Sequence, residues 1–147
     1  VQSTDEIRKR NKARAIRLSQ TRERAGRGEG EVLRLLIKRG LKPVPQFPVE
    51  GYNIDLAIAP VAVEVHVSAN NPLTDKVLRK RLKKLIELDW FVFYIWVTNK
   101  HWLTEDAVDE AVAYYELAKS APASIGKYRV VRGSGELCTT RCLEDYD

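Results

Sequence analysis

Two neighbouring runs in the middle of the chain, residues 52–59 and 61–67, constrain its fold more than any other feature. Both alternate with the two-residue period of a half-buried strand. In the first, Ile54, Leu56 and Ile58 are set to point one way, and Asn53, Asp55 and Ala57 the other. In the second, Val61, Val63, Val65 and Val67 share one face, leaving Ala62, Glu64 and His66 opposite. Pro60 marks a turn between them. If the runs pair around Ala59 and Pro60, Asp55 and Glu64 fall close together on the non-aliphatic face, and His66 faces the same site.

Two adjacent carboxylates repel, and burying them without a cation raises a pKa or costs several kcal/mol. A hard divalent ion resolves the repulsion, and oxygen ligands favour Mg²⁺, with Mn²⁺ as a substitute. Asp55 and Glu64 are therefore the candidate metal ligands. His66 is placed to accept a proton from water or, as imidazolium, to hold a phosphate oxygen. The plainer alternative leaves both acids as solvated residues on an open sheet face and His66 as an ordinary satisfied histidine.

Around this pair the pattern predicts a helix over residues 29–39, closed by Gly40 at C′. An edge strand is expected around 46–50, since Pro43, Pro45 and Pro48 punctuate that stretch. After the loop SANNPLTD a helix is predicted from Asp75 to about Leu88. Val77, Leu78, Leu82, Leu85 and Ile86 form its buried stripe, and Lys76, Arg79, Lys80, Lys83 and Lys84 its basic face. The run WFVFYIWV, apolar on both faces, belongs in the sheet centre. Thr104 is set to cap a helix to about Lys119, with Val108, Ala111, Val112 and Tyr115 inward. A hairpin turning at 133–135 ends the chain. The expected class is α/β (α+β mixed), an αβββαβ core with an added C-terminal helix and hairpin.

Charge is unevenly distributed. The chain of 147 residues carries a formal +5. Residues 1–30 hold nine Lys/Arg against four Asp/Glu, and the remainder holds sixteen of each. Residues 5–25 read as a polar basic helix with little apolar face, an arm suited to a polyanion, or simply a solvated helix. We divide the chain into a basic helical arm or linker, 1–27, and a catalytic domain, 28–147, with AGRGEG at 25–30 as a flexible hinge. In the arm, Arg8, Lys9, Arg10, Arg14 and Arg17 are candidate nucleic-acid contacts. In the later helix, Lys76, Arg79, Lys80, Lys83 and Lys84 are placed for phosphates, or form a solvated face.

No apolar run reaches membrane-spanning length, and the start lacks a signal-peptide core. The chain has no Met, as expected of a mature product or excised fragment. Its two cysteines, Cys138 and Cys142, are too few for a disulfide scaffold, so a reducing intracellular compartment is expected.

The segment NIDLAIAPVAVEVH resembles the signature of the PD-(D/E)XK nucleases, with Asp55 the first acid, Glu64 the second, and His66 where that superfamily usually has Lys. The His, a preceding helical Glu and a later Asp resemble the very-short-patch-repair nucleases and the homing endonucleases with an EDxHD motif. Mapped onto this chain, that motif makes Glu31 (Glu29 is the near alternative), Asp55, His66 and Asp75 the site, with Glu64. A basic helix followed by an aromatic-rich strand, LRKRLKKLIELDWFVFYIWV, is similar to the DUF559-type relatives. There the chain departs, reading EVHVSAN where those proteins often read ExDGxxH, so that Asn70 or Asn71 stands in the usual His place. Repair-type relatives also carry a structural zinc, which Cys138 and Cys142 alone cannot complete.

The resemblance spans about residues 27–97 and implies a restriction-endonuclease-like core and Mg²⁺-dependent phosphodiester hydrolysis. The expected function is a metal-dependent DNA endonuclease, the catalytic domain of a homing-type or Vsr-like enzyme acting on double-stranded DNA in a bacterial or phage-infected cytoplasm. A homodimer or sequential nicking would supply the two cuts of a double-strand break. The alternatives are a non-catalytic nucleic-acid-binding module on a decayed nuclease fold, and an RNA- or junction-directed nuclease.

Overall fold

The computed structural model describes Thr4 and residues 27–138. The arm candidates Arg8, Lys9, Arg10, Arg14 and Arg17, and Cys142, lie outside the described residues. The elements run α1 (Arg27–Lys38), β1 (Val44–Val49), β2 (Tyr52–Ile58), β3 (Val61–Val67), α2 (Lys76–Glu87), β4 (Phe91–Val97), α3 (Glu105–Ser120), a 3₁₀ turn (Pro122–Ser124) and β5 (Tyr128–Arg132). The sheet order is β1-β2-β3-β4-β5. The first three strands form an antiparallel meander, and β3, β4 and β5 run parallel. This mixed sheet with the helix, three strands, helix, strand order is the expected α/β class.

The meander follows from turn chemistry. Glu50 and Gly51 both have positive φ, 39° and 87°, as a two-residue type I′ hairpin turn requires. Gly40, with φ 84°, ends α1, and Leu41 N–H reaches back to Leu36 O at 3.1 Å, closing the helix with a left-handed residue.

Helices cover both faces of the sheet. On one, α1 and α3 pack Val32, Leu36, Val108 and Tyr114 against Leu56, Val63, Phe93 and Ile95. On the other, α2 sets Leu82 and Leu85 against Ile54, Ala62, Val92 and Tyr94. Full burial of each of those two leucines contributes about 1.5–3 kcal/mol. β4 is buried along its whole length, as expected of a central strand with both faces covered.

Several expectations are corrected. Residues 27–30 are helical rather than a hinge, and a Cβ on Gly28 would stand 3.0 Å from Val65 Cγ1; the glycine permits close helix–sheet approach. Ile54 packs with Leu82 and Leu85 instead of joining Leu56 and Ile58. Strict alternation thus breaks at Asp55. Opposite it, between the Pro45–Leu56 and Phe47–Ile54 partners, Gln46 takes a left-handed φ of 51°.

Val77 is 76% exposed, because the α2 stripe centres on Leu78, Leu82 and Leu85, about 100° around the helix from it. Tyr114, rather than Tyr115, is the fully buried tyrosine of α3. Thr104 stands at the N-cap of α3, but its hydroxyl donates to Gly133 O at 2.9 Å. The closing segment enters the sheet as parallel strand β5, and among the described residues a single Val131–Leu137 bridge represents the hairpin's return. Among the described residues no helix is long and apolar enough to cross a membrane.

Candidate functional site

Asp55 and Glu64 meet where the β2–β3 ladder ends. Backbone partners stop at Leu56–Val63, and side chains make the next rung. Asp55 N–H donates to Glu64 Oε2 at 3.0 Å, and Val65 N–H donates to Asp55 Oδ2 at 2.9 Å. Each carboxyl stands in for a missing carbonyl, which gives two buried backbone donors their partners.

A third group, absent from the sequence-based candidates, completes the cluster. Arg81 projects from the sheet-facing side of α2, and its Nη2 donates to Glu64 Oε1 at 2.7 Å and to the Asn53 carbonyl. Its guanidinium carbon lies 5.8 Å from the centre of the Tyr52 ring. Tyr94 is the β4 partner of Glu64, and its side chain is buried. Two buried side-chain polar atoms in the described residues lack a hydrogen-bond partner, Arg81 Nε and Tyr94 Oη. Both belong to this cluster.

Burial sets the electrostatics. Glu64 is 3% exposed. Asp55 is pushed up to about 8, first by burial and then by the Glu64 charge, against the pull of Val65 N–H and Arg81. Glu64 is also raised by burial, which outweighs Arg81 and the bonds from Asp55. Both Glu64 oxygens accept, one from Asp55 N–H and one from Arg81, so Glu64 is the anion of the pair and Asp55 the group that keeps a proton. Near neutral pH the cluster is then a protonated Asp55, an anionic Glu64 and a cationic Arg81. Burial and the neighbouring Glu64 charge hold the Tyr94 phenol well above its ordinary value, so it stays a hydroxyl.

His66 is half-buried further along β3, with Nε2 3.1 Å from the Asn70 carbonyl. A carbonyl only accepts, so Nε2 carries the hydrogen and Nδ1 is the basic nitrogen of the neutral ring. Burial lowers the His66 pKa, opposed by the Asn70 carbonyl and the Asp75 charge. The ring is therefore neutral at pH 7 and able to take a proton at Nδ1.

The other candidates are distributed differently. Glu29 is buried and accepts from Gln46 Nε2 at 2.8 Å. Gln46 sits opposite Asp55, so Glu29 is the helical acid linked to the site strands. Glu31 is half-buried roughly 200° around the helix from it. Asp75 is the N-cap of α2, accepting Val77 N–H at 2.9 Å and Leu78 N–H at 3.1 Å through Oδ1. Asn71 Oδ1 is likewise occupied, by Leu73 N–H.

Of the basic set, Lys76 and Lys80 are exposed, while Arg79, Lys83 and Lys84 are half-buried. Lys84 pairs with Glu50 at 3.5 Å. A separate cavity of about 280 Å³, lined by His101, Arg132, Glu136, Leu137 and Cys138, lies by β5, two strands from Glu64.

Among the described residues no three His, Cys, Asp or Glu side chains gather into a metal-holding group. The Asp55–Glu64 pair nonetheless suits one hard divalent cation. It offers two carboxyls side by side, and burial followed by the Glu64 charge raises the proton affinity of Asp55, a preference that a bound cation would reverse. Magnesium takes one or two carboxylates, with water and phosphate oxygens for the rest. Comparison with protein-family models, curated proteins and solved structures gave no match.

Proposed function

We propose that this chain is a metal-dependent endonuclease acting on double-stranded DNA, the catalytic domain of a homing-type or Vsr-like enzyme. The observation that supports it is the Asp55–Glu64 rung, two buried carboxyls that each cap a backbone N–H across the end of a ladder and share one cation, Arg81. Asp55 and Glu64 would hold a Mg²⁺ or Mn²⁺ ion, which supplies Lewis-acid stabilisation of charge on a phosphodiester when bound. His66 accepts a proton from the attacking water at Nδ1, with Nε2 tied to Asn70 fixing the tautomer. Lys76 and Lys80, exposed on α2, attract the DNA backbone.

The test is plasmid nicking with and without Mg²⁺. Asp55→Ala is expected to abolish Mg²⁺-dependent nicking while leaving a cooperative melting transition. Unchanged nicking by a folded Asp55→Ala protein refutes the assignment.

A second reading, a nucleic-acid-binding module with vestigial acids, draws support from Arg81, which already neutralises Glu64 without an added ion. Calorimetry separates the two. A Mn²⁺ binding signal that is lost in Glu64→Ala favours the enzyme; DNA binding with no Mn²⁺ effect favours the module.

A further inference from the structure

The acid cluster contains more than a cation site needs. Beside the two carboxyls it holds a guanidinium and two buried donors with nothing to donate to, Arg81 Nε–H and Tyr94 O–H. A cation satisfies acceptors, and it leaves these donors as they are. Neither atom is open to solvent, so an oxyanion would meet the cluster through the part of the Arg81 guanidinium that stays exposed, drawn by donor capacity that the acids leave unused. Arg81 hydrogen-bonds Glu64 directly at 2.7 Å, and its side chain keeps 22% exposure to solvent.

We propose that Arg81 binds a phosphodiester oxygen of the nucleic acid, so that a basic residue of α2 holds the phosphate beside the two acids. The proposal rests on the nucleic-acid reading above. In the free protein Glu64 and the Asn53 carbonyl hold the guanidinium through Nη2. A planar fork with five N–H groups can keep one acceptor on Nη2 and present its other edge to a phosphate. The anchoring is itself useful, because Glu64 and Asn53 fix the fork before any substrate arrives, so little side-chain freedom is lost on binding. The flanking Leu82 and Leu85, both fully buried, hold this turn of α2 against the sheet.

The experiment measures binding of a fluorescein-labelled DNA duplex by the full chain in EDTA, across a series of KCl concentrations. Arg81→Met alone strands a buried Glu64 carboxylate and endangers the fold. Glu64→Gln is therefore compared with the double variant Glu64→Gln/Arg81→Met, which removes both partners of the ion pair. Each phosphate contact contributes about 0.9 to the slope of log affinity against log salt. The double variant is expected to bind more weakly than Glu64→Gln, with a slope smaller by about 0.9. Glu64→Gln/Arg81→Lys, which keeps the charge, is expected to restore the slope.

A residue that only supports the fold would shift the melting temperature and leave the slope alone. Equal slopes in Glu64→Gln and Glu64→Gln/Arg81→Met overturn the role of Arg81 and leave the nuclease reading standing. Failure of the unaltered chain to bind the duplex even at the lowest salt overturns both.

Discussion

Replacing Asp55 by Asn keeps an oxygen for Val65 N–H and turns the other atom of the group into a donor facing Glu64. It removes a group that prefers to be neutral. In the folded chain Asp55 loses its proton at about 8, against 3.8 for the free side chain. Between those values the folded state holds a proton that the unfolded state has released. Stability therefore falls as pH rises through that window, and the whole penalty is present above pH 8. At about 1.4 kcal/mol per unit the shift bounds the penalty at roughly 6 kcal/mol. Glu64 shares the proton and relaxation admits water, so a cost of about 2–3 kcal/mol at pH 8 is the working figure.

Asparagine mimics the protonated acid at every pH. Asp55→Asn should therefore match the wild type near pH 4 and exceed it by about 2–3 kcal/mol at pH 8, on the order of 10 °C in Tm. Urea unfolding and thermal melts across pH 4–9, in EDTA, measure it. Millimolar Mg²⁺ at pH 8 should recover much of the difference for the wild type and none for the variant, since a ligand stabilises only the state that binds it. An Asn variant no more stable at pH 8 than at pH 4, relative to wild type, refutes the account of the buried pair.

Two further outcomes follow from the same geometry. Asp75→Ala removes the acceptor for two α2 amides and should lower stability by about 1 kcal/mol in urea unfolding; Asp75→Asn should retain both stability and nicking, and a folded Asp75→Asn that cannot nick would instead give Asp75 a part in the chemistry. The His66 imidazole, followed by NMR, should titrate with a midpoint under 6.5, and lower still in Asp75→Asn, because burial depresses it and the Asp75 charge partly restores it; a midpoint above 6.5 refutes the neutral-base assignment.

The carboxylate pair was legible in the sequence because strand alternation is local, and two runs joined at Pro60 leave little freedom in how they pair. Arg81 was not, for a physical reason. A basic residue in a Lys/Arg-rich helix is assigned by default to the solvent face, and five neighbours of Arg81 absorbed that assignment. The signal lay in the spacing, three residues after Leu78 and four before Leu85, which puts residue 81 on the apolar stripe. Glu29 ranked behind Glu31 because the glycines at 28 and 30 suggested a hinge where the chain is already helical. The switch of Ile54 to the α2 side depends on the left-handed backbone at Gln46 in the neighbouring strand, a feature no pattern within residues 52–58 records. The parallel pairing of β5 with β4 crosses α3, so it too is beyond a local reading.

What the fold does with these residues argues for function more strongly than any one of them. A helix–sheet interface needing only stability would fill positions 55, 64, 81 and 94 with apolar groups, since replacing a buried ion pair by well-packed hydrophobic residues is often neutral or stabilising. This chain instead joins two acids across a broken ladder, supplies one cation, and leaves two donors buried without acceptors. Leu82 and Leu85, beside Arg81 on the same helix, offset that cost through their burial. A cluster with unmet acceptor and donor capacity side by side is suited to a ligand that carries both a cation and an anion. A nucleic-acid phosphate with its counter-ion is such a ligand, and Asp55→Asn and Glu64→Gln/Arg81→Met probe its two halves separately.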